Sequence, residues 1–170
     1  MTEKSIKLFI NEIYSKGPKR NYITKKTDVY HIDDIWSLDV LDFKDYAPEN
    51  NRGFRYVLVI IDNFSKFGWT IPLKNKNAQA IKDSFENILI SSKRKPDLIE
   101  SDRGKEFYNN IFQNFINNNN IKHYSRYTDL GAVFAERFSL TIRNLLKRPV
   151  FEVFEKGDSN WIDILPTITR

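Results

Sequence analysis

The segment YVLVIIDNFSKFGWTIPL at residues 56–73 decides the fold. Its first part, Tyr56–Asp62, is aliphatic and β-branched, which is typical of a buried strand. Residues 63–66 form a polar turn, and Gly68–Leu73 is the predicted antiparallel return strand. Upstream, apolar and acidic residues alternate in IWSLDVLDF at residues 35–43, which predicts one more strand. Together these segments predict an antiparallel meander of three strands.

Helical spacing replaces the strand pattern downstream of the hairpin. Apolar residues recur at the spacing of an amphipathic helix in residues 77–92 and 110–118. Short extended segments are predicted at residues 98–100 and 121–124, and further helices at 135–147 and 161–168. This order predicts an α/β fold in which helices flank a five-stranded mixed sheet, with three antiparallel strands followed by two parallel ones.

The composition limits the chemistry that the chain can perform. The 170 residues are 41% hydrophobic, which suits one domain with a core, and they include no cysteine. Disulfides, thiol nucleophiles and cysteine-based zinc sites are therefore excluded. The N-terminal residues lack the long apolar stretch that is typical of a secretory signal, and no apolar run approaches the roughly 20 residues that span a bilayer. With no glycine-rich phosphate loop and only two distant histidines, the remaining candidates are carboxylates, which suit Mg²⁺ or Mn²⁺.

The net charge of +5 is concentrated at the N-terminus. Residues 1–27 hold seven Lys or Arg and two Glu, whereas the rest of the chain holds 20 residues of each sign. We therefore predict a basic N-terminal arm at residues 1–30 and a compact domain at residues 31–170. Such an arm suits a polyanion such as nucleic acid. The alternative is a solvated leader that keeps the protein soluble.

Two acids are candidate site residues from their pattern alone. Asp39 lies inside an apolar predicted strand, where an acid must be paired, protonated or bound to a metal. Asp102 follows a predicted strand and precedes Arg103 and Gly104, a turn that can present its carboxylate. Chemistry in such sheets collects where strand ends meet loops, and Glu136 at the start of a helix could converge there. The alternative for Asp39 and Asp102 is an acid that caps a loop or pairs with Lys or Arg.

Four segments of the chain resemble the retroviral-type integrase core, in the order in which that family has them. They are WSLD at 36–39, VIIDNFSKFGWTIPL at 59–73, SDRGKEF at 101–107 and AERF at 135–138. More narrowly, they are similar to the integrases of Maverick/Polinton elements and virophages. The resemblance covers about residues 30 to 165, and the 33 residues between Asp102 and Glu136 suit the spacing of that subgroup.

The resemblance implies an RNase H-like fold and a catalytic triad of Asp39, Asp102 and Glu136. These acids are expected to bind two Mg²⁺ or Mn²⁺ ions, with Asp39 bridging both, Asp102 completing one site and Glu136 the other. Two ions about 3.5 to 4 Å apart activate the attacking oxygen and stabilise the leaving oxygen. Water as the nucleophile gives 3′-end processing, and a DNA 3′-hydroxyl gives strand transfer. The implied function is the insertion of viral or transposon DNA into a host genome.

The implied partners are double-stranded DNA, as element ends and target, and further copies of the chain. At least a dimer is expected, because two DNA ends must be joined to one target. The implied location is the host nucleus or the virion. Candidate contacts to DNA phosphates are basic residues beside Asp102 and along the Glu136 helix, where a solvated helix face is the alternative. These residues are Lys105, Arg137, Arg143 and Lys147.

Departures from the family pattern leave two alternatives open. The subgroup commonly continues after Glu-Arg-Phe with Asn-Arg-Thr, whereas this chain has Ser139, Leu140 and Thr141. The sequence also has no cysteine for an N-terminal zinc-binding domain and no C-terminal DNA-binding module, so we expect a core that is truncated at its C-terminus. The first alternative is an inactive or domesticated DNA-binding or assembly module. The second is another RNase H-like nuclease, such as a resolvase. Asp62 and Glu106 are interpreted as a turn acid and a structural acid.

Overall fold

The computed structural model describes residues 29–45, 51–125, 133–154 and 161–168. Apart from residues 29 and 30, the predicted basic arm lies outside the described residues. The strands and helices follow one another in the predicted order. They are β1 (Ile35–Asp42), β2 (Tyr56–Asp62), β3 (Gly68–Leu73), α1 (Ala78–Ser92), β4 (Leu98–Ser101), α2 (Asn110–Asn118), β5 (Lys122–Ser125), α3 (Val133–Phe154) and α4 (Trp161–Ile168).

The strands form one sheet in the order β3-β2-β1-β4-β5. The β1–β2 and β2–β3 pairs are antiparallel, and the β1–β4 and β4–β5 pairs are parallel. This confirms the five-stranded mixed sheet predicted from the sequence. In the register, Asp39 lies opposite Val59 of β2, and Ser37 lies beside Glu100 of β4. The acids of β1 and β4 are therefore on neighbouring strands at the centre of the sheet.

Hydrophobic clusters cover both faces of the sheet. One cluster joins the strands to α1 and α2, and it contains the fully buried rings of Trp36, Phe85 and Phe112. The other joins the strands to α3 and α4 through residues such as Val59 and Leu146. Burial of apolar area in these two clusters stabilises the fold by about 25 cal/mol per Å².

Two asparagines fix the starts of α1 and α2. The Asn77 side chain accepts a hydrogen bond from the Ala80 backbone at 2.8 Å, and Asn109 does the same for Phe112 at 2.9 Å. Such caps stabilise a helix by about 1 kcal/mol each. The predicted end of the third helix at residue 147 was wrong, because α3 continues to Phe154. Amphipathic spacing locates the body of a helix better than its ends, which sequence patterns mark poorly.

Candidate active site

Asp39 lies near the middle of β1, on the face of the sheet that α3 covers. Its neighbours Leu38 and Val40 belong to the opposite cluster, and side chains alternate along a strand. Helix α3 packs against β1 and β2 on the Asp39 side. Asp39 is half-buried rather than buried, and its Oδ1 accepts a hydrogen bond from the Val40 backbone at 2.8 Å. The strand therefore presents a partly solvated carboxylate between the sheet and α3.

Asp102 lies in the exposed turn that follows β4. Its Oδ1 accepts a hydrogen bond from the Gly104 backbone at 3.0 Å, the pattern of an Asx turn. A Cβ atom at Gly104 would lie 2.6 Å from Cδ of Glu106 and 3.0 Å from Oδ1 of Asp102. Glycine thus leaves room for two carboxylates to approach one point. Glu106 also lies 3.7 Å from Nζ of Lys76, which agrees with its interpretation as a structural acid.

Glu136 lies in the first turn of α3, as predicted, and its residue is exposed. The positive end of the helix dipole favours a carboxylate at this position. The preceding residue, Ala135, is fully buried and packs against Ile61 of β2. The burial of Ala135 holds the first turn of α3 against the sheet.

Contacts from the β2–β3 hairpin also hold the start of α3. At Gly68, a Cβ atom would lie 2.3 Å from Cζ of Phe138, so the Phe138 ring packs directly on the glycine backbone. The ammonium group of Lys66 lies 3.4 Å from the centre of the Phe134 ring. Phe134 and Phe138 flank Glu136 in the sequence. These contacts therefore hold the helical turn that carries Glu136 against the β2–β3 hairpin.

The electrostatics of Glu136 link it to the other candidate acids. Burial of its carboxyl group raises the pKa of Glu136, and the charges of Asp39, Asp102 and Glu100 raise it further. A carboxylate disfavours ionisation of another carboxyl group only at short range. The charges of both other predicted acids, and of a fourth acid, Glu100, therefore reach the carboxyl group of Glu136.

Sequence reasoning missed Glu100, the fourth acid. It is fully buried in β4, and its Oε2 accepts a hydrogen bond from Oγ of Ser37 at 3.0 Å. The Ser37 hydroxyl also lies 2.8 Å from Oδ1 of Asn63. A charged residue inside the short apolar strand at 98–101 was the available signal, because an acid in a buried strand needs polar partners.

The donor chemistry of these acids fits a hard divalent cation. Mg²⁺ and Mn²⁺ prefer carboxylate oxygens. The pKa of Glu136 is raised mainly by burial and further by nearby acids, whose negative charge a cation would neutralise. Within the part of the chain that the structure describes, no three His, Asp or Glu side chains are close enough together to hold a metal ion. Binding a cation would therefore require the side chains of Asp39, Asp102 and Glu136 to draw together around it.

Positive charge lies near the start of α3. Lys105 and Arg137 are exposed, and Arg143 is half-buried. The side chain of Lys147 lies outside the described residues. Burial lowers the pKa of Lys66, and the charge of Arg137 lowers it further. The negative charge of Asp62 raises this pKa, but not enough to reverse the shift. Lys66 thus joins Arg137 in a basic region beside Glu136, a contribution that the sequence did not reveal.

Asp62 is a turn acid, as predicted. Its carboxylate lies 2.6 Å from Nη2 of Arg94, and its Oδ1 accepts a hydrogen bond from the Phe64 backbone at 3.2 Å. Arg94 also pairs with Asp33 at 2.6 Å, and its guanidinium lies 5.1 Å from the centre of the Trp69 ring. Arg94 therefore pairs Asp62, at the end of β2, with the segment that follows α1.

The fold is that of integrase catalytic cores, an RNase H-like fold. The chain is similar to the HTLV-2 integrase catalytic core domain in complex with magnesium, in its trimeric form, with a TM-score of 0.60 and 23% identity over 81% of this chain and 82% of that one. It is also similar to a chain of the simian T-cell lymphotropic virus intasome in complex with the PP2A regulatory subunit B56 gamma. That TM-score is 0.66, at 18% identity over 88% of this chain and 53% of that one.

The sequence places the chain within that class. Residues 30–127 match the integrase core domain family, and the chain belongs to it. The chain is 25% identical over 122 residues to an uncharacterized transposon-derived protein of Caenorhabditis elegans. This alignment covers 72% of this chain and 42% of that protein. It is 29% identical over 118 residues to the Gag-Pro-Pol polyprotein of squirrel monkey retrovirus, an alignment that covers 67% of this chain and 6% of that polyprotein. The chain thus spans less than half the length of these relatives. The family match ends before Glu136, and the closer tie to Maverick/Polinton and virophage integrases stays a prediction.

Proposed function

We propose that this chain is the catalytic core of a DNA integrase, a divalent-metal-dependent polynucleotidyl transferase that processes 3′ ends and joins them to target DNA. The observation that carries the proposal is the membership of residues 30–127 in the integrase core domain family, with Asp39 on the central strand and Asp102 in the turn after β4. In support, burial raises the pKa of Glu136, and the charges of Asp39 and Asp102 raise it further. Mutually repelling carboxylates destabilise a fold, and groups with perturbed pKa values cluster at functional sites. Residues 31–170 would form this core, and residues 1–30 a basic arm for DNA.

Three side chains would hold the metal ions: Asp39, Asp102 and Glu136. When bound, two divalent ions activate the attacking oxygen and stabilise the charge on the leaving oxygen. Asp39 stands on the central strand β1, which gives it a fixed backbone, whereas Asp102 lies on an exposed turn. Glu136 binds protons more readily than an ordinary glutamate, so metal binding there competes with protonation and strengthens as pH rises.

The basic residues near these acids would bind the DNA backbone. Lys105 and Arg137 are exposed and lie next to the turn of Asp102 and to Glu136, respectively. Each phosphate that is neutralised releases counterions, so DNA affinity should fall steeply with salt. The HTLV-2 integrase core has been solved in dimeric and trimeric forms, which supports a homo-oligomer for this chain as well.

The test is a DNA cleavage and joining assay with the purified chain, Mn²⁺ or Mg²⁺, end-labelled linear duplexes and a supercoiled target plasmid. Wild-type protein is expected to nick and join DNA only with metal, and Asp39→Asn is expected to abolish both reactions. Asp83→Asn is the matched control, because Asp83 is an exposed acid on α1 whose carboxylate accepts a hydrogen bond from Gln79 of the same helix. The proposal fails if wild-type protein is inactive with metal and Asp39→Asn changes nothing. A preference for branched over linear DNA would instead indicate a resolvase.

A DNA-binding or assembly module without catalysis is the second candidate. Two observations favour it: no three acidic or histidine side chains among the described residues are positioned to hold a metal together, and Leu140 on α3 is 58% exposed. Such a module would bind DNA with a salt dependence that neither Mn²⁺ nor Asp39→Asn alters. Metal-dependent cleavage that Asp39→Asn removes would exclude it.

A further inference from the structure

A chain of hydrogen bonds runs from helix α2 through β5 to the backbone of Asp102. Nε2 of Gln113 lies 2.9 Å from the carbonyl oxygen of Phe107 and 2.7 Å from Nδ1 of His123. Nε2 of His123 lies 2.8 Å from Oγ of Ser101. That hydroxyl in turn donates to the carbonyl oxygen of Asp102 at 2.7 Å. Each polar atom along this path therefore has a partner at hydrogen-bond distance.

The donors and acceptors can be assigned in one direction only. The Gln113 group that contacts a backbone carbonyl must be its NH₂, because the amide oxygen cannot donate. The same NH₂ then donates to Nδ1 of His123, which must be an acceptor. Burial lowers the pKa of His123 to about 4, so the ring is neutral at pH 7 and carries its one proton on Nε2. That proton goes to Ser101, whose own proton goes to Asp102.

Aromatic packing fixes the histidine ring in this orientation. The Tyr108 ring stacks on it with centroids 4.6 Å apart and planes 29° apart, and the Phe112 ring meets it edge-on. The ring has little freedom to turn, because a rotation would break contacts with α2 and with the loop before it. His123 is thus a rigid link between α2, β5 and the end of β4.

We propose that His123, together with Gln113 and Ser101, positions Asp102. The side chain of Asp102 is tethered through Gly104, and Ser101 holds the carbonyl group of the same residue. Both the carboxylate and the backbone carbonyl group of Asp102 are then held by hydrogen bonds. Through Gln113 and His123, helix α2 supports the position of the turn that carries Asp102. The catalytic consequence rests on the proposed integrase activity, whereas the structural consequence for the turn does not.

The structural test is NMR spectroscopy and hydrogen exchange on the metal-free chain. The ¹⁵N shifts of His123 should report the Nε2–H tautomer at pH 7. In Ser101→Ala, the Gly104 amide should exchange about ten times faster than in wild type, while amides of α1 keep their protection. Ser84→Ala, which changes a buried serine on α1, should leave the Gly104 amide unaffected. An Nδ1–H tautomer, or unchanged exchange at Gly104 in Ser101→Ala, would overturn the proposal.

The catalytic test uses two substitutions of the histidine with metal and DNA present. His123→Leu should lower kcat by about 10- to 100-fold with little change in KM for DNA, since a displacement of about 1 Å costs this much. His123→Gln should recover most of the rate, because its amide nitrogen can reach the place of Nε2 and donate to Ser101. Equal rates for His123→Leu and wild type would contradict the proposal. Inactive wild-type protein with the predicted tautomer and exchange would refute the integrase function and leave the positioning of Asp102 standing.

Discussion

Replacing Gly68 with alanine should push the Phe138 ring off β3 and shift the start of α3. The new Cβ atom would lie 2.3 and 2.4 Å from two atoms of the ring, whereas carbon atoms pack at about 3.5 to 4 Å. The ring would have to move by about 1 Å or more. Phe138 also packs against the cluster that contains Val59 and Leu146, and against Ile61 and Ala135, so a movement of that size disturbs its other contacts.

The expected cost is a balance of two terms. Overpacking a filled site typically costs about 1 to 3 kcal/mol. Alanine restricts the unfolded chain and returns about 0.4 to 1 kcal/mol, and Gly68 does not have the positive φ that would exclude alanine. We therefore predict that Gly68→Ala lowers the free energy of unfolding by about 1 to 2 kcal/mol.

Urea denaturation of a double-mutant cycle measures this prediction. In a Phe138→Leu background, the smaller side chain leaves room for the new methyl group, so Gly68→Ala should cost little or stabilise the protein slightly. The coupling free energy between the two sites should be about 1 to 2 kcal/mol. If Gly68→Ala cost the same in both backgrounds, or stabilised the wild-type protein, the proposed packing of α3 on β3 would be wrong.

Three further predictions concern charge. Burial holds the folded-state pKa of His123 at about 4 against an ordinary 6.5, so the unfolded chain binds more protons and stability falls as pH drops from 7 to 5. The loss should be about 1 to 2 kcal/mol larger in wild type than in His123→Gln, and equal pH slopes would contradict this. Arg94→Leu should cost about 3 kcal/mol or more in urea denaturation, because it strips the buried Asp62 of its ion pair, and a neutral result would refute that role. Without metal, Asp102→Asn should lower the pKa of Glu136 in an NMR titration, and an unchanged value would place the two acids apart.

Local patterns in the sequence were sufficient to predict most of the fold. The apolar run at Tyr56–Asp62 and the turn after it predict the β2–β3 hairpin, because a continuous apolar segment of this length fits a strand buried on both faces. The mixed sheet followed from the order of strands and helices. The start of α3 near Glu136 was also predictable, whereas its end was not, since residues 148–154 do not continue the apolar spacing used to predict the helix.

The surroundings of the acids could not be predicted, because they depend on contacts between distant residues. Positions 101, 113 and 123 form one hydrogen-bonded chain only after β4, α2 and β5 pack together. Likewise, Gly68 gives no sign in the sequence that a ring from α3 will rest on it. Patterns report the face of an element, whereas register and packing decide which side chains meet across elements.

A titration of the chain with Mn²⁺ by calorimetry tests the central claim most directly. Wild-type protein should show saturable binding that strengthens as pH rises and the Glu136 carboxyl loses its proton. Asp39→Asn and Asp102→Asn should each abolish this binding, while the Asp83→Asn control retains it. No saturable binding to wild-type protein, with or without DNA, or undiminished binding to Asp102→Asn, would contradict the assignment of these acids to a metal-dependent transferase.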